Sequence, residues 1–154
     1  MTVSLTPATL ADLHAHACET YPHECCGMVI ERAGREEAVR VTNVQNELHA
    51  QDPEQFPRTA EIAYTMGPEA APILMGAERG DLKLCAIYHS HPDHDVSYFS
   101  AEDRKQALGG WDEPNYPDAA QIVVSVRARA VCDTKAFAWD QTARDYVEIE
   151  LVTK

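Results

Sequence analysis

Leu82-Lys83-Leu84-Cys85-Ala86-Ile87-Tyr88-His89-Ser90-His91-Pro92 is the stretch whose reading decides the fold. Its apolar run, Leu84 to Tyr88, is short and free of glycine, and Leu82–Tyr88 reads as the central, buried strand of a sheet. Side chains alternate across a strand, so His89 and His91 at its end point the same way. Ser100-Ala101-Glu102-Asp103 follows and reads as a helix start, with Ser100 as N-cap and acids in the first turn. Two imidazoles and a carboxylate are a donor set that holds Zn²⁺ and leaves one position open for water. A hydrolytic metalloenzyme is the first functional reading.

Outward from this stretch, Thr6-Pro7 opens a helix that Tyr21-Pro22 closes. Cys26–Ile30 predicts a buried strand, and Ala33-Gly34-Arg35 a hairpin turn into a second strand, Ala38–Val41. Asn46 to Arg58, polar and containing Pro53 and Pro57, reads as a long connecting loop. The alternation in Ala60–Tyr64 predicts a strand, and Gly67-Pro68 opens a helix, Glu69–Glu78, that Gly80 ends. A further helix spans Ser100–Leu108 and stops at Gly109-Gly110. Trp111–Asp118 is a loop, and strands are predicted at Ile122–Val126, Ala136–Trp139 and Tyr146–Leu151. This order predicts a single α/β domain over residues 1–154, with helices inserted between strands. The hairpin-like links favour a mixed sheet flanked by helices over a fully parallel one.

Composition narrows the function. The chain has 154 residues, long enough for a core without disulfide staples, and a formal charge of −12. Lys and Arg are scattered singly, so no basic face marks a nucleic-acid partner. No apolar run spans a bilayer, and Met1 to Leu5 lacks the features of a secretory leader. The five cysteines are odd in number and form no C-x-x-C pair, which fits a reducing compartment; the expected location is cytoplasmic. Cys85 reads as a small buried hydrophobe and Cys26 as packing at a strand start. His14, His16, His23 and His49 are read as surface or helix residues without a ligand role. Trp111 and Trp139 read as core or loop anchors.

A zinc-bound water still needs a general base. Glu24, just before the strand at Cys26, is the candidate. Glu24 within Pro22-His23-Glu24-Cys25-Cys26-Gly27, then His89-Ser90-His91-Pro92, then Ser100-x-x-Asp103, resembles the JAMM motif of the MPN-domain metallopeptidases. Order and the roughly sixty residues between Glu24 and His89 agree with that motif. The resemblance covers most of the chain and is strongest to the stand-alone prokaryotic branch. It implies a mixed-sheet fold related to cytidine deaminases and one Zn²⁺ per chain on His89, His91 and Asp103. It also implies that Glu24 moves the water's proton to the leaving amine, and that Ser100 stabilises the oxyanion. The substrate it implies is a ubiquitin-like β-grasp protein, including sulfur carriers, cut after a C-terminal glycine. The loops Asn46–Arg58 and Trp111–Asp118 are the candidates to grip the tail, which would pair as an added strand at a sheet edge.

One departure stands out. Eight residues separate His91 from Ser100, one more than the usual family spacing, and Ser97 or a neighbour looks like the insertion. Two rivals share these residues. His89-Ser90-His91-Pro92-Asp93-His94 spells the H-x-H-x-D-H signature of metallo-β-lactamases, but no histidine follows His94. A non-catalytic MPN scaffold would lack ligands that are present here. The H-x-E and P-C-x-x-C elements of a deaminase are missing.

Overall fold

The computed structural model describes residues 1–154. Along the chain run β1 (Thr2–Leu5), α1 (Pro7–Thr20), β2 (Cys26–Arg32), β3 (Arg35–Val41), α2 (Gln45–Gln51), α3 (Ala70–Arg79), β4 (Lys83–Pro92), α4 (Ala101–Leu108), β5 (Ala120–Arg127), β6 (Ala130–Asp140) and β7 (Asp145–Thr153). The strands form one seven-stranded sheet in the order β1-β7-β6-β5-β4-β2-β3. β4–β5 and β1–β7 pair parallel and the other neighbours antiparallel, giving the expected mixed sheet.

Local chemistry explains the boundaries. Thr6 Oγ1 accepts from Thr9 N at 3.1 Å to cap α1, with Pro7 in the first turn. The β2–β3 hairpin turns through Ala33 (φ 52°) and Gly34 (φ 74°), the doubly left-handed geometry that matches strand twist. β4 runs past the predicted end at Tyr88 to Pro92, where the missing N–H is harmless to the ladder. His89 is therefore flanked on both sides, opposite Cys26 on β2 and Val123 on β5.

The sheet has two cores. On one face, Leu13 and Ala17 of α1 pack on Cys25, Val29, Tyr88 and Ile122. On the other, Cys26, Met28, Ile30 and Leu84 pack with Tyr64 and Ala70. The sheet curls around α1, which touches β3, β4, β5 and β6. The curl brings the two sheet edges together. Glu36 on β3 accepts from Thr6 N at 2.8 Å, just after β1, and from Lys154 Nζ at 2.9 Å, just after β7. No helix is long and apolar enough to cross a membrane.

Several expectations need correction. β1 is too short and too exposed to show in the sequence pattern. The first half of the expected Asn46–Arg58 loop is the helix α2. Ala60–Tyr64 is not a strand: it turns, and single bonds to a side chain and to the backbone of Glu24, rather than a neighbouring strand, hold Ala60. Asn46 Oδ1 accepts from Ala60 N at 2.8 Å, and Ala60 O accepts from Glu24 N at 2.7 Å. Its apolar alternation is not matched by burial: Ala60 and Tyr64 are buried but Ile62 between them is exposed. His16 is buried, with Nδ1 2.8 Å from Tyr88 Oη. Cys85 is only half-buried, because the β2–β4 register shifts between Val29 and Ile30 and leaves it as the unpaired residue. Trp139 is in the core, whereas Trp111 is 71% exposed and anchors nothing.

Candidate metal centre and its cleft

The β4 alternation sends Tyr88 and Ser90 toward α1 and leaves His89 and His91 on the opposite face. There Asp103, at the third position of α4, meets them. His89 Nε2 and His91 Nε2 are 3.1 Å apart, His91 Nε2 lies 3.1 Å from Asp103 Oδ2, and His89 Nε2 lies 3.2 Å from Asp103 Oδ1. Ligands about 2.0–2.1 Å from a tetrahedral Zn²⁺ sit about 3.3 Å from one another. The two imidazole nitrogens each face one oxygen of the same carboxylate, one ligand atom from each residue lies within 4.8 Å of the others, and the set of two nitrogens and a carboxylate suits zinc chemically.

The capping box that begins α4 aims the carboxylate. Ser100 Oγ accepts from Asp103 N at 3.0 Å, and Asp103 Oδ2 accepts from Ser100 N at 2.9 Å. Burial pushes the Asp103 carboxyl up. Hydrogen bonding to His89 and His91 and from Ser100 N outweighs it and holds the group well below the usual carboxylate range. The capping reading of Ser100 and the ligand position of Asp103 are therefore one arrangement.

Glu24 sits where the chain enters β2, beside the His91 end of β4, since Ser90 N donates to Cys25 O at 3.1 Å and Ser90 Oγ accepts from Cys25 N at 2.7 Å. It is 5% exposed and opens on the same cleft as His91 and Asp103. Burial, reinforced by the Asp103 charge and opposed by His91 and Arg58, pushes its carboxyl up to about 8. A carboxyl so placed takes and gives a proton near neutral pH.

The cleft has a volume of about 1300 Å³. Residues 54–58 and 61–65, the start of α4, Gly109-Gly110, His94 and Tyr98 line it. Of the two loops expected to grip a substrate, the Glu54–Arg58 part of the first lines it, while Trp111–Asp118 does not.

The longer loop between His91 and Ser100 is fastened rather than bulged. Ser97 is buried, its N donates to Asp133 Oδ2 at 2.7 Å, and its Oγ lies 2.8 Å from Ser125 Oγ. Asp93 turns away with φ 64° and accepts from Tyr21 Oη at 2.6 Å. His94 packs on His91 and Tyr98 but is outside the donor cluster. The H-x-H-x-D-H spelling has no counterpart in space.

Sequence reasoning missed Asn43 and Tyr64. Asn43 Nδ2 donates to Glu24 O (3.0 Å) and Ala63 O (3.1 Å), while its Oδ1 accepts from Gln45 N and Thr65 N, both at 3.1 Å. That uses the full capacity of the amide and ties the Glu24 backbone to the segment that carries Tyr64. Tyr64 stacks on His89. No local motif marks either residue, because their partners are remote in sequence.

The sequence model of a family described as prokaryotic homologs of the JAB domain matches residues 6–140. No curated protein matches significantly. Among solved structures, the solution structure of a Desulfitobacterium hafniense protein is similar with a TM-score of 0.67 at 20% identity, over 100% of this chain and 93% of that one. A Salinibacter ruber protein gives 0.60 at 26%, over 99% and 91%. The crystal structure of a JAB1/MPN domain protein from Archaeoglobus fulgidus gives 0.50 at 16%, over 99% of both chains. The first and third likenesses are of fold alone.

Proposed function

The chain belongs to the prokaryotic homologs of the JAB domain, a family that includes zinc isopeptidases, and from that premise we propose that it is a zinc-dependent metallopeptidase. Its substrate in this reading is a ubiquitin-like β-grasp protein or sulfur carrier, cut after the C-terminal glycine, in the cytoplasm. The observation that carries the reading is the convergence of His89, His91 and Asp103 at 3.1–3.2 Å beside a buried acid, Glu24.

In this mechanism His89, His91 and Asp103 hold the ion, one per chain. Bound Zn²⁺ supplies Lewis acidity, lowering the pKa of water toward neutrality and polarising a carbonyl. Glu24 takes the proton of the attacking water and delivers it to the nitrogen of the leaving amine. Its raised affinity for protons lets one carboxyl serve both steps. Ser100 Oγ already accepts from Asp103 N, so its hydroxyl hydrogen is free to donate to the oxyanion. The open cleft suits an extended tail more than a small compact molecule.

The test is incubation with β-grasp proteins bearing C-terminal extensions, read by intact mass. Cleavage after the terminal glycine, stopped by a chelator and restored by Zn²⁺, is the expected result. Zinc uptake without cleavage of any such substrate points to a binding scaffold instead. Two zinc ions per chain count against the single-ion centre.

A further inference from the structure

We propose that Tyr64 is a positioning residue for the metal centre, its ring setting the plane of the His89 imidazole. The inference rests on the reading of His89, His91 and Asp103 as metal ligands. A ligating imidazole ordinarily donates its second ring N–H to a carboxylate, a carbonyl or water, and that bond fixes the ring. Here Nδ1 of His89 and Nδ1 of His91 are both buried without a hydrogen-bond partner. Ring contacts take over that task. Tyr64 lies over His89 with centroids 4.7 Å apart and planes 28° from parallel, an offset stack. His91 has Tyr98 at 4.9 Å and His94 at 5.6 Å. Of the three ligands, only Asp103 is oriented by hydrogen bonds from the backbone.

Tyr64 is itself held from the ligands' own elements. Gln106 Nε2 donates to Tyr64 O at 2.9 Å. Gln106 is three residues after Asp103, so α4 presents one residue to the metal position and the next on that face to Tyr64. Asn43 grips the chain on either side, at Ala63 O and Thr65 N. The result is a closed circuit: β4 carries His89, His89 meets Asp103, α4 carries Gln106, and Gln106 holds Tyr64 over His89. The stack acts on the π-face of His89, and Nε2 stays aimed at His91 and Asp103.

Tyr64 also belongs to the core, so the test must separate the two roles. Zn²⁺ affinity is measured by competition with a chelating dye, alongside the visible spectrum of Co²⁺-loaded protein and the melting temperature of chelated protein. Tyr64→Phe keeps the flat ring and is expected to keep wild-type affinity and spectrum. Tyr64→Leu fills the core without a flat ring and is expected to lose about 10-fold in affinity and to shift the Co²⁺ bands. Should Tyr64→Leu fail to fold, Gln106→Ala, at an exposed position, frees the Tyr64 carbonyl and is expected to lower affinity by a smaller factor. Wild-type affinity in both Tyr64→Leu and Gln106→Ala overturns the positioning role and leaves the metal centre standing. A wild-type protein that takes up no Zn²⁺ overturns the metal centre, and this inference with it.

Discussion

β4 meets histidine–tyrosine pairs on both of its faces, and the pairs of Tyr88 with His16 and of His89 with Tyr64 are built in opposite senses. Toward α1 the strand supplies the tyrosine: Tyr88 Oη lies 2.8 Å from His16 Nδ1, and the rings meet edge to face at 5.8 Å. Toward the cleft the strand supplies the histidine, and Tyr64 stacks on His89 at 4.7 Å. The hydrogen bond on the first face takes up Nδ1 of His16, and His16 belongs to no cluster of metal-ligating groups. The stack on the second face leaves His89 Nε2 free to converge with His91 and Asp103. Both histidines are buried, but only His89 stands in a cluster that could hold a metal ion.

Breaking the cleft face has the largest expected effect. Asp103→Ala removes the carboxylate of the proposed metal site and the acid of the α4 capping box. Zinc content measured by elemental analysis is expected to fall from one per chain toward none, and peptidase activity with it. The Ser100 cap itself stays, because Ser100 Oγ accepts from the backbone N of residue 103. Full zinc content in this variant would remove Asp103 from the ligand set. Glu24→Gln breaks the same face more narrowly. It keeps size and removes the proton carrier, so zinc content is expected to hold while the rate falls about 10²–10⁴-fold. Cleavage at the wild-type rate would rule out Glu24 as the base.

The two faces also respond to pH with opposite sign. Burial, helped by the Arg40 charge, pushes His16 down to about 4. Below its ordinary value of about 6.5 the unfolded chain takes a proton at this position that the folded protein does not, until the pH reaches about 4. Acidification across that window is expected to cost about 3 kcal/mol of stability. His16→Gln should flatten the slope. Glu24, raised to about 8, runs the other way. The folded protein keeps a proton there that the unfolded chain has lost, so stability is expected to fall as pH rises from about 4.5 toward 8. Urea titrations of chelated protein as a function of pH would show both slopes. Glu24→Gln should remove the alkaline one alone, and its survival in that variant would assign it to another group.

These differences mark where the sequence was legible. The four residues Ser100 to Asp103 state both a helix start and a carboxylate position, because capping is local chemistry read from spacing. His89 and His91 follow from strand alternation, so their common face was readable once β4 was recognised. Tyr64 and Asn43 were not readable. Their roles depend on His89, Glu24 and Gln106, which lie elsewhere in the chain. The Ala60–Tyr64 segment misled for the same reason: its apolar residues alternate like a strand, but Ile62 is exposed, and Asn46 and Asn43 bond the backbone at Ala60 and Ala63 where no neighbouring strand does. His16 was read as a surface or helix residue, and it lies on α1, but its burial was not readable because nothing near it in sequence reveals that Tyr88 reaches it.

The sharpest comparison is the smallest one, a pair of tyrosine hydroxyl deletions. Tyr88→Phe leaves His16 Nδ1 buried without a partner and is expected to cost about 1–3 kcal/mol of stability in urea unfolding. The ring must stay, since Gly27 leaves just enough room for it: a Cβ there would sit 2.4 Å from the Tyr88 ring. Zinc affinity is expected to be unchanged in Tyr88→Phe, because His16 and Tyr88 lie behind the strand and not on the cleft. Tyr64→Phe, which removes the same atom from the other face, is expected to change neither quantity, since the stack uses the ring and not the hydroxyl. If Tyr88→Phe weakened zinc binding as much as a cleft substitution does, the two faces of β4 would be coupled through the strand, and the division between His16 and the histidine of the proposed metal site would fail.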